Sequence, residues 1–377
     1  MKREVYLDNS ATTQVRPEVA AAVMETMTRW YGNPSSLHQK GLEAEGLVEE
    51  AREAVARSLC VQRDTIYFTS GGTEANNLAL WGAARARARR GRHIITTAIE
   101  HPSVLNVCGR LREEGYDITL LPVDGAGILQ PEELRAHLRP ETILLSTMQV
   151  NNEIGSIQPL AEIGAVLREE GSDLLWHVDA IQGFGKLPLK PRELGIDLLS
   201  LSGHKFHGPK GVGALYVAED VHLKPLFAGG GQEGALRSGT ENVPGIVGLG
   251  LAAKMAAAER EEAVAKMASL KELLLAGLLS QVPGPRLNGP RVGGAPHIAN
   301  ITFAGIRGET LVHALSEVGI YVSTGSACSS RRTAPDHVLS ALGLAKEDAA
   351  GTLRFSLSPF NQREEVDYVL AQLPELV

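Results

Sequence analysis

Seven short apolar runs, separated by amphipathic stretches, constrain this chain more than any other feature. They are "TIYFTS" (65–70), "HIITTA" (93–98), "DITLLPV" (117–123), "TILLSTMQV" (142–150), "LLWHVDA" (174–180), "DLLSLS" (197–202) and "GALYVA" (213–218). Runs that are apolar at almost every position, rather than at every second one, belong to strands covered on both faces. Intervening stretches such as "HPSVLNVCGRLREEG" and "PLAEIGAVLREEG" are amphipathic and end in glycine, as helices often do. Strands joined by helical crossovers predict an α/β chain with a mostly parallel, seven-stranded sheet.

A long helical pattern, roughly 245–282, ends at "VPGP" (282–285). Beyond it the strands and helices shorten: "HIANITFAG", "TLVHALSEVGI", "GTLRFSLS" and "REEVDYVLAQL". This change predicts a large domain over 15–255 and a smaller α+β domain over 256–377, joined by residues 1–14. At 377 residues the chain is long enough for two cores.

A net charge of −7 argues against nucleic acid as the main partner. The basic run "RARARRGR" (85–92) reads as the solvated end of a helix. No stretch reaches the ~18 apolar residues of a membrane span, and "MKREVYLDNSATT" has no apolar signal core. Three cysteines, Cys60, Cys108 and Cys328, are too few for a disulfide framework and fit a reducing, cytoplasmic compartment. Cys60 and Cys108 fall in helical patterns and read as small buried hydrophobes. Cys328 lies in a Ser/Gly/Ala stretch with Arg331 and Arg332 close behind, which predicts an exposed thiol held partly as thiolate.

The chain has only eleven lysines against twenty-six arginines, and none lies between Lys40 and Lys186. In "LSLSGHKFHGPKG" Lys205 stands where a strand gives way to a glycine-rich turn, a place where α/β enzymes hold reactive groups. The segment is not a nucleotide P-loop, because Pro209 occupies the slot that lysine must fill. His204 and His207 have no Cys/His cluster nearby, so no metal is expected. "GGGQEG" (229–234) follows no clear strand and opens no clear helix, and reads as a flexible turn.

"YFTSGGTEANNLAL" runs from a strand through Gly-Gly into a helix, whose unpaired N–H groups suit a phosphate, with Thr73 adding a hydroxyl. An ordinary capped turn fits those residues equally well. "HVDAIQG" puts Asp179 and Gln182 at a strand end, where a carboxylate needs a charged partner. That partner is either a structural cation or a protonated ring nitrogen. "IEHPSV" brings His101 to a helix-starting proline, and "VNNEIG" ends another strand with polar residues. Each taken singly is also a cap or a core histidine. Five polar clusters at strand C-termini of one sheet converge on a binding crevice. A phosphate turn, a strand-end aspartate, a histidine, an asparagine and a lysine are together what pyridoxal 5′-phosphate requires. Desolvation and neighbouring cationic character would make Lys205 a nucleophile.

"YLDNSATT", "YGNPSSLH", "TSGGTEANN", "EHPSV", "VNNEIG", "HVDAIQ", "SLSGHKFHGPKG", "RSGTEN", "TGSACSS" and "LRFSLS" occur in this order over nearly the whole chain. In these the chain resembles the cysteine desulfurases of the NifS/IscS-like group. That group consists of pyridoxal-phosphate enzymes of the class V aminotransferase family, with the type I aminotransferase fold. The resemblance implies that Lys205 carries the cofactor, that Asp179 pairs with its ring nitrogen, that His101 stacks on the ring and moves protons as a catalytic residue, and that Gln182 bonds its phenolic oxygen. It implies Gly72, Thr73, Ser202 and His204 around the phosphate, with Thr240 reaching in from a second subunit. Asn152 and Arg354 would bind the substrate carboxylate, and Cys328 would accept the sulfur.

The implied reaction converts L-cysteine to L-alanine in a homodimer that passes sulfur to an acceptor such as an iron–sulfur scaffold protein. Rivals on the same fold are a selenocysteine lyase and an aminotransferase; a rival of another class is a non-catalytic sulfur-relay or scaffold protein. Ala334 stands where relatives usually carry an acidic residue, and the short ending "AQLPELV" differs from relatives with a longer docking tail.

Overall fold

The computed structural model describes residues 3–325 and 336–377; Cys328 lies outside the described residues. The N-terminal strand β1 (Val5–Tyr6) is followed by α1 (Pro17–Thr28) and α2 (Gln39–Leu59). Strands and helices then alternate: β2 (Ile66–Thr69), α3 (Gly72–Arg87), β3 (His93–Thr97), α4 (Pro102–Glu113), β4 (Asp117–Leu121) and α5 (Pro131–His137). The alternation continues with β5 (Thr142–Met148), α6 (Leu160–Glu169), β6 (Leu175–Asp179), α7 (Pro191–Leu194), β7 (Leu198–Ser202) and β8 (Gly213–Val217). All seven apolar runs form strands.

These seven strands form one sheet in the order β2-β8-β7-β6-β5-β3-β4. The five from β7 to β4 are parallel, and β8 runs antiparallel to both neighbours. The continuous apolar pattern has a direct cause. Adjacent residues on one strand enter different cores: Ile95, Leu145, Trp176 and Leu199 pack with α2 and α6, whereas Ile94, Leu144, Leu175 and Leu198 pack with α3 and α4. Both faces are covered, so both sets of alternate positions are mostly apolar, and polar exceptions such as Thr96, Ser146 and His177 are hydrogen-bonded inside. After α4 and α6 the chain turns through Gly115 (φ 88) and Gly171 (φ 58), left-handed positions that favour glycine.

The helix α8 (Val243–Gln281) has 39 residues, about 58 Å of axis at 1.5 Å per residue. Its first half, through Ile246, Leu249 and Ala253, joins the core on the α2 face of the large sheet. Its second half, through Met267, Leu270, Leu274 and Leu278, joins a separate core with Val5, Leu7 and Phe355. There lie β9 (Arg286–Asn288), β10 (Ile298–Thr302), α9 (Gly308–Glu317), β11 (Ile320–Tyr321) and β12 (Ser323–Thr324). The chain ends with α10 (His337–Ala341), α11 (Lys346–Ala350), β13 (Thr352–Ser356) and α12 (Arg363–Gln372). Strands β12-β13-β10-β9 form an antiparallel sheet, and β1 pairs in parallel with β11.

Two expectations change. Cys60 is exposed rather than buried, because it caps α2 in a left-handed turn (φ 56) that takes its side chain off the helix's apolar face. Cys108 is buried as expected, and burial pushes its thiol up to about 12. The "GGGQEG" turn is anchored rather than loose. Glu233 is buried and accepts from both terminal nitrogens of Arg52 (2.8 and 2.9 Å) and from the Phe68 N–H (2.7 Å).

Candidate active site

The apolar run of β7 ends at Ser202, and a single tight turn, Gly203–Lys205, brings Lys205 out at the C-terminal edge of the sheet. The Lys205 amine donates to the carbonyls of Ser10 (2.5 Å) and Ala11 (2.9 Å). Gln182 donates its amide to the same Ser10 carbonyl at 2.9 Å. Thr13 fastens this N-terminal segment: its N–H and hydroxyl donate to the His204 carbonyl, and its hydroxyl accepts from the His207 N–H. The motif "NSATT" therefore lies against the lysine turn, a contact spanning nearly 200 residues of sequence that no local pattern announces.

A second lysine supports the first. Lys186 donates to the carbonyls of Lys205 (2.9 Å) and Gln182 (3.2 Å), and burial, followed by the charge of Lys205, lowers it to about 7. His204 meets the Thr12 hydroxyl at 3.2 Å; burial and then Lys205 hold it down to about 4, so it is neutral at physiological pH.

Asp179 ends β6 and is buried. Its Oδ1 accepts from the Ile181 N–H (3.0 Å) and its Oδ2 from the Asn76 amide (2.7 Å). The same amide nitrogen donates to the Ser103 hydroxyl at 2.8 Å, and that hydroxyl lies 2.8 Å from His101 Nδ1. Burial pushes Asp179 up, with His101, the Ile181 N–H, Asn76 and Lys205 acting against it. Burial pushes His101 down; Asp179 opposes this, and Lys205 and His337 reinforce it. Lys205, His101 and Asp179 thus act on one another in one place. Asn76 and Ser103 went unassigned from sequence. Their signal was their placement, one inside the helix that follows the Gly-Gly turn and the other in the first turn after His101.

The turn before α3 has a backbone only glycine tolerates: Gly71 sits at φ 149, ψ −177. Among the described residues, a Cβ built on Gly71 would meet only the Ser202 hydroxyl, at 3.8 Å, so its absence leaves room beside that hydroxyl at the helix N-terminus. A Cβ on Gly72 would fall 2.2 Å from Ile181 Cδ1, so glycine is what lets α3 start against the Asp179–Gln182 turn. Thr73, in the first turn, is exposed. Glu74 accepts from the Ser70 N–H (2.8 Å) and pairs with Arg237 (2.9 Å), tying in the segment that carries Thr240. Thr240 itself is exposed.

Arg354 lies in β13, buried to 2% exposure. Its guanidinium donates to Asp8 Oδ1 (2.8 Å) and to the Asn152 carbonyl (3.0 Å), while its Nε is buried without a partner among the described residues. Arg354 and Asn152 are therefore brought together as expected, with Asp8 as an added carboxylate.

The residues fit pyridoxal phosphate. A helix N-terminus with open space suits the phosphate, a buried carboxylate suits a protonated ring nitrogen, and the amine of Lys205 suits the aldehyde. The buried Gln182 Oε1 and Ser10 hydroxyl have no hydrogen-bond partner among the described residues, which leaves polar groups for a ligand to meet.

Comparison with known proteins agrees. The family model for class V aminotransferases matches residues 5–369. A cysteine desulfurase IscS from Methanosarcina thermophila is 48% identical over 375 residues, covering 100% of this chain and 92% of that protein. A solved NifS-like protein superposes with a TM-score of 0.94 at 41% identity, covering 99% of each chain. A structure of SspA in complex with cysteine superposes with a TM-score of 0.83 at 36% identity, covering 96% of this chain and 100% of the other. With the type I fold, the lysine turn and the aspartate at its strand end all in the expected places, the chain belongs to the pyridoxal-phosphate-dependent class V aminotransferase family.

Proposed function

We propose that this protein is a cysteine desulfurase that takes sulfur from L-cysteine, releases L-alanine and carries the sulfur as a persulfide on Cys328. The observation that carries this reading is the meeting of Lys205, Asp179 and His101 at the C-terminal edge of the parallel strands, beside the N-terminus of α3. It is supported by full-length likeness to proteins named cysteine desulfurase and to a structure holding cysteine.

When bound, pyridoxal phosphate supplies an electron-withdrawing ring that stabilises the negative charge left on the substrate Cα when its proton departs. Lys205 would hold the aldehyde, and its amine would take the proton that leaves the substrate Cα. Asp179, fixed by Asn76 and the Ile181 N–H, would keep a ring nitrogen protonated by its charge. Arg354 and Asn152 receive the substrate carboxylate, and the Nε–H of Arg354, which has no partner among the described residues, is a donor ready for it. The Cys328 thiolate attacks the substrate sulfur. An S–S bond forms as the C–S bond breaks, the electron pair passes to Cβ, which takes one proton, and the proton held by Lys205 returns to Cα to complete alanine. The sulfur changes carrier and no outside oxidant is needed.

We place the protein in a reducing, cytoplasmic setting as a homodimer that hands sulfur to an acceptor such as an iron–sulfur scaffold protein. Exposed Met24, Met27, Tyr31, Leu37 and Leu42 near the α1–α2 connection offer apolar surface that suits a second subunit. Residues 15–255 act as the cofactor-binding domain; 1–14 with 256–377 form the smaller domain bearing Cys328. The separate cores at the two ends of α8 support that division.

The test is incubation with L-cysteine without reductant, followed by mass analysis. One added sulfur atom on the Cys328 peptide, with alanine formed in equal amount, is expected. Cys328→Ser should keep the cofactor's colour and its response to cysteine yet make neither alanine nor persulfide. Alanine produced at the wild-type rate by that variant would overturn the sulfur-transfer step.

A further inference from the structure

We propose that Asn76 and Ser103 are positioning residues that hold His101 as a neutral imidazole with its proton on Nε2, so that the ring offers the site a hydrogen-bond donor and not a base. The reasoning begins with a group that has only one role. The Ser103 backbone N–H lies 3.1 Å from His101 Nδ1. A backbone N–H can only donate, so Nδ1 must present its lone pair. The Ser103 hydroxyl, 2.8 Å from the same nitrogen, accepts from Asn76 Nδ2 at 2.8 Å, which leaves its own hydrogen for Nδ1.

Asn76 fixes the direction of this chain. Its other amide hydrogen goes to Asp179 Oδ2 at 2.7 Å. Turning the amide over would set its oxygen against a carboxylate oxygen. The donors therefore run one way, from Asn76 to Ser103 to His101, while the same amide steadies Asp179. Protonating Nδ1 would set an N–H against the Ser103 N–H and force the serine hydroxyl to reverse. The titratable groups acting on the ring are Asp179, Lys205 and His337. Asp179 favours an imidazolium; Lys205 and His337 oppose it, and burial opposes it most. With one nitrogen protonated and the other lone pair committed, the ring has nowhere to accept a proton. Proton removal from the substrate then falls to Lys205.

This inference rests on the proposed function only for the identity of the group that the ring faces. The test reads the ring without turnover. The purified holoenzyme, labelled with nitrogen-15 in histidine, is examined by proton–nitrogen correlation, with His101→Gln assigning the signals. The expected result is an unprotonated Nδ1 and a protonated Nε2, unchanged from about pH 6.5, where an ordinary histidine is half-charged, to about pH 8. Ser103→Ala and Asn76→Leu should each populate the second tautomer or move the titration upward, and Ser103→Thr, which keeps the hydroxyl, should restore the wild-type pattern. A proton on Nδ1 in the wild-type protein, or a titration of His101 within that window, would overturn the assignment even if every variant failed to fold. Failure to make alanine from cysteine, with the tautomer as expected, would instead count against the proposed function.

Discussion

Lys186 donates its side-chain nitrogen to the backbone carbonyl of Lys205 at 2.9 Å, so one lysine holds the main chain of the other. The Lys186 pKa falls from 10.5 to about 7, first through burial and then through the charge of Lys205. The unfolded chain therefore binds more protons at this position than the folded one between those two values. Stability contributed here rises with pH across that window and is withdrawn as pH falls toward 7. Lys186→Met removes this dependence. The melting temperature of the wild-type protein relative to the variant should climb from about pH 7 to about pH 10; a constant difference would show that Lys186 keeps an ordinary pKa.

Lys205, not exposed Lys210, is expected to carry the cofactor, because its amine lies among Ser10, Ala11, Asp179 and His101. Borohydride reduction and peptide mapping should put the pyridoxyl group on Lys205. Lys205→Ala should still retain some cofactor through the α3 N-terminus but convert no cysteine. A label on Lys210 would refute the assignment.

Arg52 and Glu233 form a largely buried pair, at 12% and 3% side-chain exposure, that pins the "GGGQEG" turn to the edge strand β2. The turn needs pinning, since Glu233 (φ 48) and Ala235 (φ 65) both have left-handed backbones. Removing one partner of a buried pair typically costs ~3–5 kcal/mol, because the other charge is left uncompensated. Arg52→Met is therefore expected to destabilise by about that much, and the double change Arg52→Met with Glu233→Leu by less. Denaturant unfolding of these two variants and of Glu233→Leu alone decides it. Strictly additive losses would mean that the pair has no coupling.

Thr240 is exposed on its own subunit yet belongs to a segment tied to the α3 N-terminus through Arg237 and Glu74. If it completes the partner's phosphate site, Thr240→Ala removes one hydrogen bond to a charged group, worth ~1.5–3 kcal/mol. Cofactor affinity should drop about 10- to 150-fold at that energy, with dimer mass unchanged. Cofactor dissociation read by absorbance, alongside sedimentation, tests both halves. A fully active monomer would refute the role given to Thr240.

The sequence by itself determined the sheet, because a strand packed on both faces is mostly apolar, with small hydroxyl residues where a hydrogen-bond partner is at hand, as in the β5 run "TILLSTM". It also marked the strand-end lysine, aspartate and histidine, since their polarity breaks those runs abruptly. Tertiary structure decided what these groups touch. Ser10 meets Lys205, Asp8 meets Arg354 and Asn76 meets Asp179 across 195, 346 and 103 residues of chain. A hydrogen bond between such distant residues needs only one donor and one acceptor, and so leaves no periodic trace along the chain. Cys60 shows the same limit at short range. Its composition matched the buried face of α2, but the left-handed turn at φ 56 that exposes it is a backbone choice made where the helix meets the strand beyond.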